Sequence, residues 1–164
     1  MKASADTMAG IASNDFPPLR TRGTRLLRLP SARDTRGYLV WGQAGSPLPF
    51  EPKRFWCICD VPQDQTRGNH GHRWTQEFLV CLRGSCCVSL DDGVERDQVI
   101  LDAPDLGLYV PPLTWHTQHG FSPGAALLVL SSGVYRPDEY VRGYDEFLGL
   151  AAEEVAADDS DQIR

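Results

Sequence analysis

His70-Gly71-His72-Arg73-Trp74-Thr75-Gln76-Glu77, with Gly84 seven residues further on, decides the fold. His70 and His72 are two residues apart, so on an extended strand they project from the same face. With Glu77 and Gly84 they give the pattern His-x-His-x4-Glu-x6-Gly. Downstream, Pro111-Pro112-Leu113-Thr114-Trp115-His116 places another histidine behind a proline-rich turn. Three imidazoles and a carboxylate can hold a divalent transition ion with open positions. The two strand histidines can also act without metal as general acid and base, because an imidazole with a pKa of about 6.5 populates both protonation states near neutrality. The plainer alternative is a set of hydrogen-bonded wall residues, against which stands the cost of burying paired imidazoles without purpose.

Working outward, the chain reads as short strands: Arg25–Leu29, Tyr38–Trp41, Lys53–Asp60, Glu77–Leu82, Ser85–Asp91, Val94–Leu101, Gly107–Val110 and Ala125–Ser131. Turn residues separate them at Arg83-Gly84, Asp91-Asp92-Gly93, Pro104-Asp105 and Pro123-Gly124. The 15 glycines and 12 prolines disfavour a helical bundle. An antiparallel sandwich or small barrel suits this rhythm. Tyr140, Val141, Tyr144, Phe147, Leu148 and Ala151 recur at helical spacing after Pro137-Asp138-Glu139, which predicts one C-terminal helix ending near Ala152. Residues 1–20 lack periodicity and read as a mobile tail, residues 21–152 as one domain, and residues 153–164 as an acidic, frayed tail.

At 164 residues the chain is the size of one ordinary domain, with 41% hydrophobic and 23% charged residues. A net charge of −6 argues against general nucleic-acid binding. No apolar run approaches the ~18–20 residues needed to cross a membrane, and no signal peptide is apparent at the N-terminus. The five cysteines, Cys57, Cys59, Cys81, Cys86 and Cys87, form no CxxC pair and read as buried free thiols of a cytoplasmic protein rather than disulfides or a zinc site.

The paired histidine motifs resemble those of the cupin superfamily, although Leu113 stands where a glycine is usual and the trailing asparagine is missing. A longer series is more specific. It runs through Asp34-Thr-Arg36-Gly37, Lys53-Arg54-Phe55, Arg67-Gly68-Asn69-His70-Gly-His72, Leu82-Arg-Gly84-Ser85, Trp115-His116 and Tyr135-Arg-Pro-Asp-Glu139-Tyr140-Val-Arg142-Gly-Tyr144. Over roughly residues 24–150 it resembles the WxcM-like sugar-nucleotide 3,4-ketoisomerases, cupin enzymes that act on dTDP-4-keto-6-deoxyglucose.

That resemblance implies an all-β, double-stranded antiparallel β-barrel (a cupin or jelly roll) with a short C-terminal helix, assembled as a metal-free, cofactor-free homodimer. The implied partner is a dTDP-linked keto-deoxyhexose whose keto group moves from carbon 4 to carbon 3 on the way to an amino sugar. On the matching positions His70 is the base that takes the carbon-3 proton and His72 the second acid/base or relay group. Arg54 and Arg67 hold the pyrophosphate, with Trp56 and His116 also contacting substrate. Planar guanidiniums suit that anion. Three departures stand out. Gly71 and Arg73 replace the alanine and lysine of an HAHK-type motif. Trp56 replaces a tyrosine, and an indole cannot shuttle a proton. Glu77 replaces a glutamine, which restores a full metallocupin ligand set of His70, His72, Glu77 and His116. A metal-dependent cupin and a non-catalytic nucleotide-sugar-binding cupin are the competing readings.

Overall fold

The computed structural model describes residues 16–162, with side chains to 157. In chain order the strands are β1 (Arg25–Arg28), β2 (Ser31–Asp34), β3 (Gly37–Val40), β4 (Gln43–Ala44), β5 (Pro47–Leu48), β6 (Arg54–Cys59), β7 (Arg67–His72), β8 (Glu77–Arg83), β9 (Cys86–Asp91), β10 (Arg96–Leu101), β11 (Leu106–Val110), β12 (Trp115–His119), β13 (Ala126–Ser131) and β14 (Tyr140–Val141). A single 3-10 turn (Pro137–Glu139) precedes β14, and helix α1 (Tyr144–Gln162) follows it.

Two antiparallel five-stranded sheets make the jelly roll, one ordered β1-β11-β8-β13-β6 and the other β10-β9-β12-β7-β14. Alternate residues of both sheets meet in one core: Leu79 and Cys81 of β8, Leu108 and Val110 of β11, and Leu127 and Val129 of β13 against Val88 and Leu90 of β9 and Val99 and Leu101 of β10. The other face of the first sheet carries Phe78, Val80 and Tyr109, covered by Leu29, just after β1, and by Leu48 and Phe50 at and after β5. Gly84 turns the chain between β8 and β9 at φ +69, a left-handed conformation that favours glycine. A Cβ there would also collide with the Ser122 hydroxyl.

All eight predicted strands are present. Strands β7 and β12, which lie side by side in the second sheet, were absent from that set, although the two-residue histidine spacing required an extended segment at β7. Their sequences, RGNHGH and WHTQH, carry almost no apolar residues, so hydrophobic alternation cannot reveal them. The helix begins seven residues later than its expected start at Pro137. Tyr140 and Val141 instead pair with His72 and Gly71 of β7. Gly143 accepts the bond from the Phe147 amide in the first helical turn, and Asp145 and Glu146 complement the helix dipole. Val141, Phe147 and Ala151 pack with Trp115. The helix runs to Gln162, past the boundary expected at 152.

The expected N-terminal tail is shorter at its inner end. Phe16 and Leu19 pack against the core, and Arg20 donates to the Arg96 carbonyl. Residues 1–15 of that tail lie outside the described residues. The expectation of five buried thiols also needs correction, because Cys57 and Cys59 are exposed. They lie on edge strand β6, whose inward positions belong to Trp56 and Ile58.

Candidate active site

The site lies between the sheets where β7, β12, β8 and β14 converge. Cross-strand partners share a face, and His116 of β12 is registered against His70 of β7. A bulge follows immediately, with Gly68 and Asn69 in left-handed conformation at φ 76 and 59. A Cβ on Gly68 would sit 2.7 Å from Gln118 Oε1 and 2.9 Å from the His116 carbonyl oxygen, so the approach of the two strands requires glycine. Beyond the bulge Arg67 registers with Gln118, which puts it on the histidine face. Leu113, standing at the usual glycine position, adopts φ 51, a strained conformation for a leucine, and its amide donates to the His72 carbonyl at 2.7 Å.

The facing sheet supplies one cross-strand row: Arg54 of β6, Ser131 of β13 and Glu77 of β8. Trp56 lies in the next inward row, beside Val129 and Leu79. The predicted residues His70, His72, Glu77 and His116 are brought together, and Arg54 reaches them through Tyr140. Arg54 donates to the Tyr140 hydroxyl at 3.4 Å and lies over the rings of Trp56 and Tyr135, at 4.7 and 5.5 Å. The Tyr140 ring is 4.6 Å from that of His72 and 5.1 Å from that of His70. Arg67 is exposed at the start of β7.

His70 Nε2 and His72 Nε2 are 3.2 Å apart, a contact that needs one proton between two rings. His72 Nδ1 meets Glu139 Oε1 at 2.9 Å. Glu77 bridges His72 and His116, with Oε1 2.9 Å from His72 Nε2 and Oε2 3.2 Å from His116 Nε2. The first of these is an ion-pair distance without an aligned hydrogen bond, since Glu77 Oε1 is buried with no hydrogen-bond partner. Glu139, Tyr140 and Tyr135 were given no role from sequence. They fall in the Tyr135–Tyr144 stretch that carries the resemblance, but the helical spacing expected from Pro137 gives no sign that Tyr140 pairs with His72 on β7.

Burial, reinforced by His116 and His72, lowers the pKa of His70 to about 4, so its ring is neutral at pH 7. Burial likewise lowers His116. Desolvation alone would raise the Glu77 carboxyl, but His116 and then His72 outweigh it and hold it below the usual range. The unfolded chain takes up a proton on His70 near pH 6.5 and the folded chain only near pH 4. Stability from this group is therefore complete above 6.5 and lost as pH falls from 6.5 to 4. The melting temperature is expected to decline across that window, with a shallower decline in His70→Asn. Equal slopes in the two proteins would show that other groups carry the acid sensitivity.

The same four residues fit a transition ion. One donor atom from each of His70, His72, Glu77 and His116 lies within 4.8 Å of every other, and Glu77 Oε1 lacks a hydrogen bond that a cation would replace. Three nitrogens and a carboxylate oxygen form a donor set suited to zinc, iron or nickel.

Residues 22–152 match the family described as FdtA: WxcM-like, C-terminal. A TDP-4-oxo-6-deoxy-alpha-D-glucose-3,4-oxoisomerase from Aneurinibacillus thermoaerophilus is 43% identical over 114 residues, which is 70% of this chain and 82% of that protein. Among solved structures, the TDP-quinovose 3,4-ketoisomerase WlaRB from Campylobacter jejuni is 38% identical, with a TM-score of 0.74 over 77% of this chain and 98% of the other. A mutant of the 3,4-ketoisomerase QdtA from Thermoanaerobacterium thermosaccharolyticum, in complex with TDP-4-keto-6-deoxyglucose, is 32% identical, with a TM-score of 0.78 over 80% of this chain and 96% of the other. With the paired histidines, the bulged strand and the Glu139-Tyr140 segment all in one inter-sheet site, the chain belongs to this FdtA, WxcM-like family.

Proposed function

We propose that the chain is a TDP-4-keto-6-deoxyglucose 3,4-ketoisomerase using histidine acid/base catalysis. The observation that carries this reading is a neutral, partly exposed imidazole, His70, touching a second, buried imidazole, His72. The reaction removes the proton on carbon 3, next to the carbon-4 carbonyl, and leaves an enediol across carbons 3 and 4. A proton then returns to carbon 4, carbon 3 becomes the ketone, and the oxygen protons are exchanged. No net oxidant or reductant is needed. His70 takes the carbon-3 proton and His72 relays or returns one. Arg54, held by the Trp56 and Tyr135 rings, and Arg67, on the same face at the strand end, bind the pyrophosphate. Trp56 and His116 line the sugar.

A divalent ion on His70, His72, Glu77 and His116 would supply Lewis-acid polarisation of the carbonyl. The isomerisation does not require it, because the ketone already acidifies its neighbouring C–H and a neutral imidazole can take that proton. Incubation with TDP-4-keto-6-deoxyglucose, followed by NMR for the 3-keto product, tests the reading. TDP binding without turnover would instead identify a binding protein.

A homodimer in the cytoplasm completes the proposal. The outward face of the first sheet leaves Phe55 and Leu82 exposed, with Leu39 of the β2–β3 hairpin also bare, and such apolar area suits a second copy. Sedimentation at micromolar concentration is expected to give the dimer mass; a monomer alone would refute it. No helix among the described residues is long and apolar enough to cross a membrane.

A further inference from the structure

We infer that Glu139 is a positioning residue for the isomerisation: its carboxylate fixes the ring and the Nδ1 proton of His72, so that Nε2 is the atom presented to His70. The inference rests on the ketoisomerase reading. Glu139 closes the 3-10 turn before β14, and its side chain is almost completely buried. A buried carboxylate is costly unless it is paired. Here it lies 2.9 Å from His72 Nδ1, across 67 residues of sequence.

The backbone leaves this carboxylate little freedom. The Arg73 amide donates to the Glu139 carbonyl at 2.9 Å, and Tyr140 is registered against His72 itself. Glu139 is thus tied to the same strand as the ring it holds. With an acceptor at Nδ1 that nitrogen carries a proton, and Nε2, 3.2 Å from His70 Nε2, is the exchanging atom. Glu77 cannot do this work. It approaches the opposite nitrogen, out of line, and is shared with His116. A ring flip of His72 would replace Nε2 with Cε1 in front of His70 and carry Nδ1 away from Glu139, and the carboxylate at 2.9 Å opposes that flip.

Two variants separate positioning from mere structure. Glu139→Gln keeps an oxygen that can accept from Nδ1, and Glu139→Ala removes it. Glu139→Ala is expected to lower kcat about 10–100-fold, by analogy with the loss of carboxylates that orient metal-bound histidines, with KM for the TDP-sugar unchanged. Glu139→Gln is expected to recover most of that loss. Long-range 15N–1H spectra of the free protein should show the His72 proton on Nδ1 in wild type and Glu139→Gln, and redistributed in Glu139→Ala. Wild-type kcat in Glu139→Ala, no recovery in Glu139→Gln, or an unchanged His72 spectrum would each overturn the inference. Failure of the wild-type enzyme to turn over would sink the isomerase reading instead, and the spectra would still decide the Glu139–His72 pairing.

Discussion

Asparagine in place of His70 is expected to lower turnover by about 10²–10⁴-fold, the range for losing a general base, while TDP still binds. Asparagine fills much of the imidazole volume and can hydrogen-bond, but it has no basic nitrogen. The wild-type ring is suited to the task by the surroundings that keep it uncharged: burial first, then His116 and His72. Its lone pair is available across the whole neutral range, so activity should be flat there and fall only toward pH 4. Nucleotide affinity is assigned to other atoms. Arg54 stacks on Trp56 and Tyr135, on the strand opposite, and Arg67 sits beyond the bulge. Arg67→Ala should therefore raise the TDP dissociation constant and the KM with a smaller effect on kcat. Near-normal turnover in His70→Asn would move the base elsewhere, to His72 or Tyr140. Loss of TDP binding in the same variant would show that the histidines hold the nucleotide.

The contrast between the two sheets explains what could be read from sequence. In β8 and β13 the inward positions are Leu79, Cys81, Leu127 and Val129, so hydrophobic alternation announces them. In β7 and β12 the inward positions are His70, His72, His116 and Gln118, and the alternation is one of chemistry rather than apolarity. Only the two-residue histidine spacing marked β7 as extended. The Glu139-Tyr140 segment departs from the helix expected of its sequence for a different reason. Its aromatics fit a helical period in isolation, but pairing of Tyr140 with His72 and of Val141 with Gly71 overrides local preference. The difference bears on the site, because the strand geometry is what aims Glu139 at His72 Nδ1. Trp56 shows a third limit. Sequence could say that no tyrosine stands there, but only the structure shows its ring supporting Arg54 and a hydroxyl, that of Tyr140, within reach of the same guanidinium.

Removal of metal is expected to leave turnover intact, and saturating zinc is expected to abolish it, by about 10²-fold or more if the base is fully withdrawn. The four donors lie close enough to hold an ion, and Glu77 Oε1 has no competing hydrogen bond. Yet a neutral imidazole has one lone pair, and a cation bound to His70 uses the electrons that the proposed mechanism gives to the carbon-3 proton. On that mechanism, metal binding and proton abstraction exclude each other at the His70 ring. Glu77 decides the balance, as the only carboxylate among the four. It bridges His72 and His116, and burial already works against its charge. Glu77→Gln removes the anionic ligand and keeps an oxygen near both rings, so it should weaken zinc inhibition far more than it changes turnover in chelator. Elemental analysis of protein purified without added metal, paired with activity before and after chelation, checks the first half of this argument. A zinc titration of wild type and Glu77→Gln checks the second. Stoichiometric metal in the purified protein, with activity lost in chelator and restored by the ion, would end the acid/base assignment of His70 and promote it to a ligand. Equal zinc sensitivity in the two proteins would place the inhibitory ion elsewhere, with the exposed Cys57 and Cys59 as the first residues to replace.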